Sequence, residues 1–481
     1  MAAKATTTQD IHDLGLGETA RLIAAGKLSA EEATRTALQR LQDYGPALVA
    51  VAGLDPDAAL AAARAVDARL AKGENLGPLA GVPLAHKDMF YRPGRLSECG
   101  SKIRAGFRPG VTAAVLERLD RAGALDIARL NMVEFALGVT GHNPVAGTPR
   151  NPWNPDHITG GSSSGSGAAV AARLVSGALG SDTGGSIRFP AACCGVVGMK
   201  PTYGRVSRFA AMPLSYSLDT LGPLTRTVRD NALMLGVVAG FDPRDPATSR
   251  LPVPDYLSAI EEGVGGLRLG VPDGYFLEPV ADEVRTLIED AAATLGKLGA
   301  AVRPARVPAS IAAFNGITSM ITATEGATLH ARWMRERPGD YGRQTLGRLL
   351  AGAMTPATTY IEAIAERPRL LAEFMETAFA EVDALIVPVM VMPVPTIAAA
   401  DLAANPGFSD QIVRMGHATR PINYLGLPGL SVPCGFTANG LPAAFQLVGR
   451  PYDEATLYRL ARAYERQTGC TDKAPDLSKI R

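Results

Sequence analysis

The stretch GGSSSGSGAAVAARLVSGALGSDTGGSIRFP, residues 160–190, decides how this chain is read. Its density of glycine and serine is that of a flexible linker. The flanks reject that reading. AAVAARLVSGA (168–178) is a small-residue helix suited to tight packing, and ALGSD (178–182) reads as a strand that enters a second glycine turn at Gly184 and Gly185. A linker joins domains and is not followed at once by a core helix and strand. The segment is therefore expected to be two rigid turns joined by packed structure.

Outward from it the same alternation continues. Ser29-Ala30-Glu31-Glu32 is a capping box that opens a helix running to about Asp43. Val82 to Ala85 is a short apolar run, readable as a buried strand that delivers His86, Lys87 and Asp88 at its end. Thr112 is placed to cap a helix AAVLERLDRA that stops at Gly123, and ALDIARL then reads as a strand. GVVGMKP, GLRLGV, LIVPVM, GLSVPCG and AAFQLVGRP supply further strands, and Asp453 caps a helix from Glu454 to about Gln467. Alternating helices and strands predict an α/β architecture with a largely buried sheet. Strands near the C-terminus can complete a sheet begun near residue 80, so one large domain is expected over 9–475, after a disordered N-terminus at 1–8. Residues 241–256 read as a Pro-rich surface connection, and 335–358 as a partly helical segment lying over a cleft.

Composition bounds the function. Of 481 residues, 47% are hydrophobic and 20% charged, as in a globular protein with a large core. Basic and acidic residues number 48 and 47, which offers no electrostatic case for nucleic acid or an anionic membrane. The first residues lack the apolar core of a signal peptide, and no run is long enough to span a bilayer. Five scattered cysteines argue against a disulfide framework, so a reducing cytoplasm is the expected location. The six histidines show no metal-site spacing, and neither a P-loop nor a dinucleotide fingerprint is present, so no metal or cofactor is expected.

Two readings place a nucleophile in the opening stretch. Gly161-Ser162-Ser163-Ser164-Gly165 matches GxSxG with Ser163 central, the elbow of an α/β-hydrolase-type esterase, and His330 and His417 lie downstream in the right order. The strand required before the elbow is missing, because NPWNPDHIT holds two prolines. The other reading takes the second turn. Gly184 and Gly185 allow the N–H groups of Thr183, Gly184, Gly185 and Ser186 to converge on one point, as a developing oxyanion requires. Ser186 is then the nucleophile, at the start of a helix whose dipole favours negative charge. Its base is Lys87, desolvated at a strand end and neutral when it works, with Ser162 as the relay between them.

These residues resemble the amidase signature family. The likeness lies in Gly81-Val82-Pro83 with Lys87-Asp88, GGSSSGS at 160–166, DTGGSIRFPA at 182–191 and GxKPT at 198–202. DTLGPLTRTVRD at 219–230, GLPGLSVPCG and GLPAAFQLVGRPYDE extend it over about residues 10 to 470. The resemblance implies a single α/β domain with a twisted mixed sheet covered by helices on both faces. It also implies a Ser–cisSer–Lys triad of Ser186, Ser162 and Lys87, with a cis peptide before Ser162 and an oxyanion hole on the backbone of 183–186. The implied activity is hydrolysis of C–N bonds in neutral amides through an acyl-enzyme, extending to carbamates (urethanes) and esters.

Two branches of the family compete: free-standing amidases, and the glutamine-hydrolysing subunit of a tRNA amidotransferase. RFAAMPLSYSLDTLGP resembles the free-standing branch, and the chain has no basic surplus for tRNA. A small-molecule amide or carbamate substrate is therefore expected, with no nucleic acid and no membrane, and with monomer or homodimer left open. A catalytically dead binding protein is disfavoured because all three triad positions are intact. Around the triad, Asp182 and Arg188 flank the nucleophile turn as backbone organisers or as an ordinary ion pair. Ser163 either bonds Lys87 or satisfies its own turn. Met89, Phe135, Leu137, Phe209 and Tyr216 are pocket candidates weighed against a core role.

Overall fold

Eleven strands hydrogen-bond into one mixed sheet in the computed structural model, which describes residues 11–480. From one edge to the other they are Val51–Leu54, Leu125–Leu130, Pro83–Lys87, Gly177–Asp182, Thr220–Thr225, Val197–Lys200, Gly429–Phe436, Pro442–Gly449, Ala384–Pro388, Arg268–Pro272 and Ala301–Ala305. Strands from near residue 80 and from the last sixty residues thus share one sheet, and the chain is a single α/β domain. The N-terminus expected to be disordered, 1–8, lies outside the described residues.

The central strands are buried at every position, so they lack the regular apolar–polar alternation of a half-exposed strand. The expected helix after Ser29 forms over Ala30–Leu48 with its capping box complete, and runs past Asp43 through Pro46. Asp453 caps Glu454–Thr468 through the Thr456 amide. Thr112 is not a cap: the helix is Ala114–Arg121, its N-cap is Ala113, and no side chain caps it. The small-residue helix is Ser164–Ala171, buried throughout, so glycine and alanine serve there as packing residues.

Parallel pairing carries the site. Pro83–Lys87 and Gly177–Asp182 run parallel, with His86 opposite Leu179, so both C-terminal ends emerge together. Gly177–Asp182 also pairs antiparallel with Thr220–Thr225, placing Ser181 opposite Leu221 and Asp182 opposite Thr220. Three further helices, Ile311–Glu336, Arg343–Ala353 and Ala357–Ala378, follow, the first packing on each of the other two. Within the 335–358 segment, Gly342 N–H donates to the buried Glu134 carboxylate at 2.9 Å, and Arg337 donates to the carbonyls of Ile103 and Lys102. Residues 241–256 run without helix or strand, as their prolines dictate.

Candidate active site

The strand Pro83–Lys87 ends in a lysine with no exposure at all. Lys87 Nζ donates to Ser162 Oγ at 2.7 Å and to Ser181 Oγ at 2.8 Å. Burial strips the ammonium of water and draws its pKa down to about 7, while the negative charges of Asp219 and Asp182 pull the other way. Near neutral pH the amine is therefore free to accept a proton from a hydroxyl it already touches.

Ser162 follows a cis peptide after Gly161 and is itself buried. The turn it opens packs against the second glycine turn, where Ser163 N–H donates to the Ser186 carbonyl at 3.3 Å. Ser186 lines a cavity of about 350 Å³, and its hydroxyl has no hydrogen-bond partner among the described residues. The 183–186 turn needs its glycines. Gly185 has φ +127°, and a Cβ there would meet the Phe189 ring at 2.4 Å.

A buried ion pair shapes this turn. Asp182 accepts from Arg188 Nη2 at 3.0 Å, and neither side chain is exposed. Burial opposes the charge of Asp182, yet the Arg188 guanidinium and its hydrogen bonds hold the carboxyl well below the usual carboxylate range. Asp182 Oδ1 also accepts from Gly185 N–H at 2.8 Å, and Oδ2 from Ile187 N–H at 3.2 Å. The Gly185 amide is thus spent on Asp182 and is withdrawn from the four-donor nest expected from sequence. The N–H groups of Thr183, Gly184 and Ser186 donate to no protein acceptor among the described residues. Thr419 Oγ1 donates to the Gly184 carbonyl at 2.8 Å, which fixes that peptide from the other side. The following helix is Arg188–Cys194, so Ser186 stands two residues before it rather than at its first position.

Other expectations change. Ser163 does not touch Lys87; its hydroxyl bonds the backbone of Ser181, and the second lysine contact is the Ser181 hydroxyl, which the sequence reading did not single out. Local adjacency pointed to Ser163, whereas strand pairing brings Ser181. The elbow reading fails as well. His330 bonds the Tyr341 hydroxyl inside an aromatic cluster with Phe135 and Trp333, and His417 stacks on Tyr275. Burial lowers the His330 pKa to about 4.

Of the pocket candidates, Leu137 lines the Ser186 cavity with Ala136, Val139 and Leu214. Phe135 is core, buried in the aromatic cluster. Met89, Phe209 and Tyr216 line a separate cavity of about 210 Å³ that also contains Asp219. Arg348 and Arg420, which the sequence reading did not single out, are the charged residues lining the Ser186 cavity, and no Asp or Glu lines it. Arg348 donates to the Leu137 carbonyl at 3.2 Å and Arg420 to Asn315 Oδ1 at 2.9 Å. Among the described residues no group of His, Cys, Asp and Glu is arranged to hold a metal ion, and no helix is long and apolar enough to cross a membrane.

The profile of the family described as Amidase matches residues 32–458. A curated relative from Myxococcus xanthus, one of the subunits of a glutamyl-tRNA(Gln) amidotransferase, is 42% identical over 477 residues, covering 95% of this chain and 97% of that protein. A solved chain from a vestigial protein complex, studied for the evolutionary origins of an s-triazine catabolic enzyme, is 34% identical with a TM-score of 0.88, over 95% of this chain and 99% of that one. The peptide amidase of Stenotrophomonas maltophilia is 32% identical with a TM-score of 0.84, over 96% and 98% of the two chains.

These likenesses correct the expected partners. The expectation of a chain acting on its own on a free small-molecule substrate, with no nucleic acid, does not stand against a relative matched over almost its whole length whose name makes it part of a larger enzyme, one named for a tRNA. Net charge was the wrong gauge: one chain of an assembly can leave the nucleic acid to its partners, so a chain balanced at +1 carries no signal of it.

Proposed function

We propose that this chain, which belongs to the amidase family, hydrolyses the side-chain amide of glutamine through Lys87, Ser162 and Ser186, as the glutamine-hydrolysing subunit of a tRNA amidotransferase working beside partner chains. Neutral Lys87 takes the proton of Ser162, which takes that of Ser186 as Ser186 Oγ attacks the amide carbon. The N–H groups of Thr183, Gly184 and Ser186 receive the oxyanion. The proton returns through Ser162 to the departing nitrogen, which leaves as ammonia. Water then attacks the acyl-enzyme, giving its proton to Ser162 and releasing glutamate with Ser186 restored.

The observation that carries the chemistry is the 2.7 Å contact from buried Lys87 to Ser162, beside a Ser186 hydroxyl that opens on a cavity. The choice of glutamine leans on the amidotransferase relatives. The test is ammonia release from glutamine by the purified chain, alone and together with its co-purified partners. Slow release that rises at least tenfold with partners supports the reading. Release indifferent to partners, alongside rapid cleavage of a nitroanilide by the chain alone, sinks it.

One observation favours a second reading. The cavity offers guanidinium groups from Arg348 and Arg420 and no carboxylate to receive the α-ammonium of glutamine. That charge balance suits an acyl group without an ammonium, as in neutral amides, carbamates or esters, and the likeness to a peptide amidase points the same way. A panel of aryl amides, fatty amides, amino-acid amides and carbamates decides between them. If glutamine gives the highest kcat/KM, the second reading falls.

A further inference from the structure

We propose that Asp219 is a positioning residue of this site, a single buried carboxylate that tethers the turn carrying the oxyanion donors and supplies the negative charge that the Lys87 ammonium faces. The inference rests on Lys87 being the base.

Asp219 is buried, and every bond it makes is local to the site. It accepts from Thr183 Oγ1 at 2.5 Å, from Leu214 N–H at 2.8 Å and from Ser215 N–H at 3.0 Å. The first contact holds the start of the oxyanion turn. The other two hold a segment whose Leu214 lines the Ser186 cavity, while Ser215 lines the neighbouring one. One carboxylate thus joins the turn to the wall of the substrate cavity.

Its place relative to Lys87 follows from strand register. Ser181 lies opposite Leu221 and Asp182 opposite Thr220, so one step further Thr183 meets Asp219. The two-residue period puts Ser181, Thr183, Leu221 and Asp219 on one face of the sheet. Asp219 is therefore the diagonal neighbour of Ser181, a separation of about 7–8 Å between such positions. The Ser181 hydroxyl is where Lys87 Nζ donates. Lys87 Nζ and the Asp219 carboxylate are therefore buried on the same face beside Ser181, where low-dielectric surroundings strengthen the attraction between opposite charges.

The other charges around Lys87 are compensated. Asp182 is in contact with Arg188, and Asp88, the next residue along, with Arg129 at 2.6 Å. The Cys99 thiol is pushed up to about 12 by burial and stays neutral. Burial pushes the Asp219 carboxyl up from its ordinary value, while the Thr183 hydroxyl and the Ser215 and Leu214 amides favour its charged form; Arg208, which bears on it from the adjoining loop, is bound to Asp245. Among the described residues Asp219 itself has no ion-pair partner, only hydroxyl and amide donors. Burial drives the Lys87 pKa down, and Asp219 is the largest influence opposing it. Without that carboxylate the amine would titrate lower and be a weaker base.

The test is the pH dependence of kcat/KM for an amide that the native protein, with its partner chains if it needs them, turns over. Asp219→Asn keeps the size of the side chain and removes its charge. The acidic limb is expected to move to lower pH by about one unit. Thr183→Val cuts the hydroxyl tether and leaves the charge, so it should lower kcat about tenfold with the limb in place, a split that a merely structural role would not give. An unmoved limb in folded Asp219→Asn overturns the proposal. If that variant does not fold, Asp219→Ser leaves a gap beside the cavity lined by Met89 and Phe209, and added formate should return its limb toward the native position; no response to formate overturns the proposal equally. Lys87→Met separates the two levels. An active Lys87→Met sinks the relay and this inference with it, whereas an inactive one beside an unmoved limb sinks the inference alone.

Discussion

Lys87 closes the strand Pro83–Lys87 and Lys200 closes Val197–Lys200, in the same sheet and with the same total burial. Desolvation comes first among the causes for both, and both are drawn down to about 7. Their partners differ. Lys87 donates to the hydroxyls of Ser162 and Ser181, and Ser162 opens the turn whose Ser163 amide donates to the carbonyl of Ser186, a residue lining the cavity. Lys200 donates to the Pro201 carbonyl at 2.9 Å, a group with no proton to give, and sits among the charges of Arg188, Asp182, Arg367 and Glu454. A lowered pKa is thus a consequence of burial and does not by itself mark a base. What distinguishes Lys87 is its contact with two hydroxyls, one of them the first step of the proposed relay to Ser186.

The largest effect that would sharpen this contrast comes at that end. Ser186→Ala should lower kcat by at least about 10⁴-fold and abolish labelling by a fluorophosphonate, because no covalent intermediate can form. Retention of label would break the comparison at its root. The lysines come next. Lys87→Met should cost about 10²–10⁴-fold in kcat, the range of a lost general base, while Lys200→Met should stay within tenfold once protein that folds is compared. If Lys200→Met is the worse of the two, the hydroxyl chain is not what matters.

The pH dependence tests what the two lysines share as well as what divides them. Activity should rise as pH climbs through about 7, as Lys87 loses its proton, and an acidic optimum would count against lysine as base. For stability both lysines act with one sign. Each has a folded pKa of about 7 against an ordinary lysine value of 10.5. Between those values the unfolded chain binds more protons than the folded one, so stability rises with pH across that window. Lys200→Met should flatten the rise in denaturant midpoint between about pH 7 and pH 10 without moving the activity limb. Unchanged steepness would show that Lys200 stays charged in the fold.

What can be read in advance follows the same division between local and assembled features. Lys87, Ser162 and Ser186, the residues of the proposed relay, each sit in a contiguous stretch marked by nearby glycines, so all three can be picked out in the sequence, as can most strands. Ser181 and Asp219 are not, because their roles depend on one parallel and one antiparallel register that no local pattern encodes. The diversion of the Gly185 amide to Asp182 depends on a side chain folding back three residues. Arg348 and Arg420 reach the cavity from helices far along the chain, and Phe135 reads as a pocket residue only because a pocket wall and a core cannot be told apart without the fold. Thr112 fails as a cap because Ala113, not Thr112, precedes the helix.

The smallest effect separates two serines that differ by one bond to Lys87. Ser181→Ala removes a hydroxyl that accepts from Nζ at 2.8 Å, leaving Ser162 as the amine's sole hydroxyl partner among the described residues. A buried ammonium that loses a hydrogen bond is disfavoured relative to the neutral amine, and the amine loses part of its aim at Ser162. The expected result is a kcat lower by about tenfold, the worth of one such bond of about 1–1.5 kcal/mol, with the acidic limb displaced slightly downward. Ser163→Ala removes a hydroxyl whose bonds run only to the Ser181 backbone at 3.3 Å, so activity should fall by less than about threefold and the limb should stay in place. Should Ser163→Ala move the limb while Ser181→Ala does not, the sequence-adjacent serine would be the lysine's partner after all, and the register that sets Lys87 apart from Lys200 would need to be redrawn.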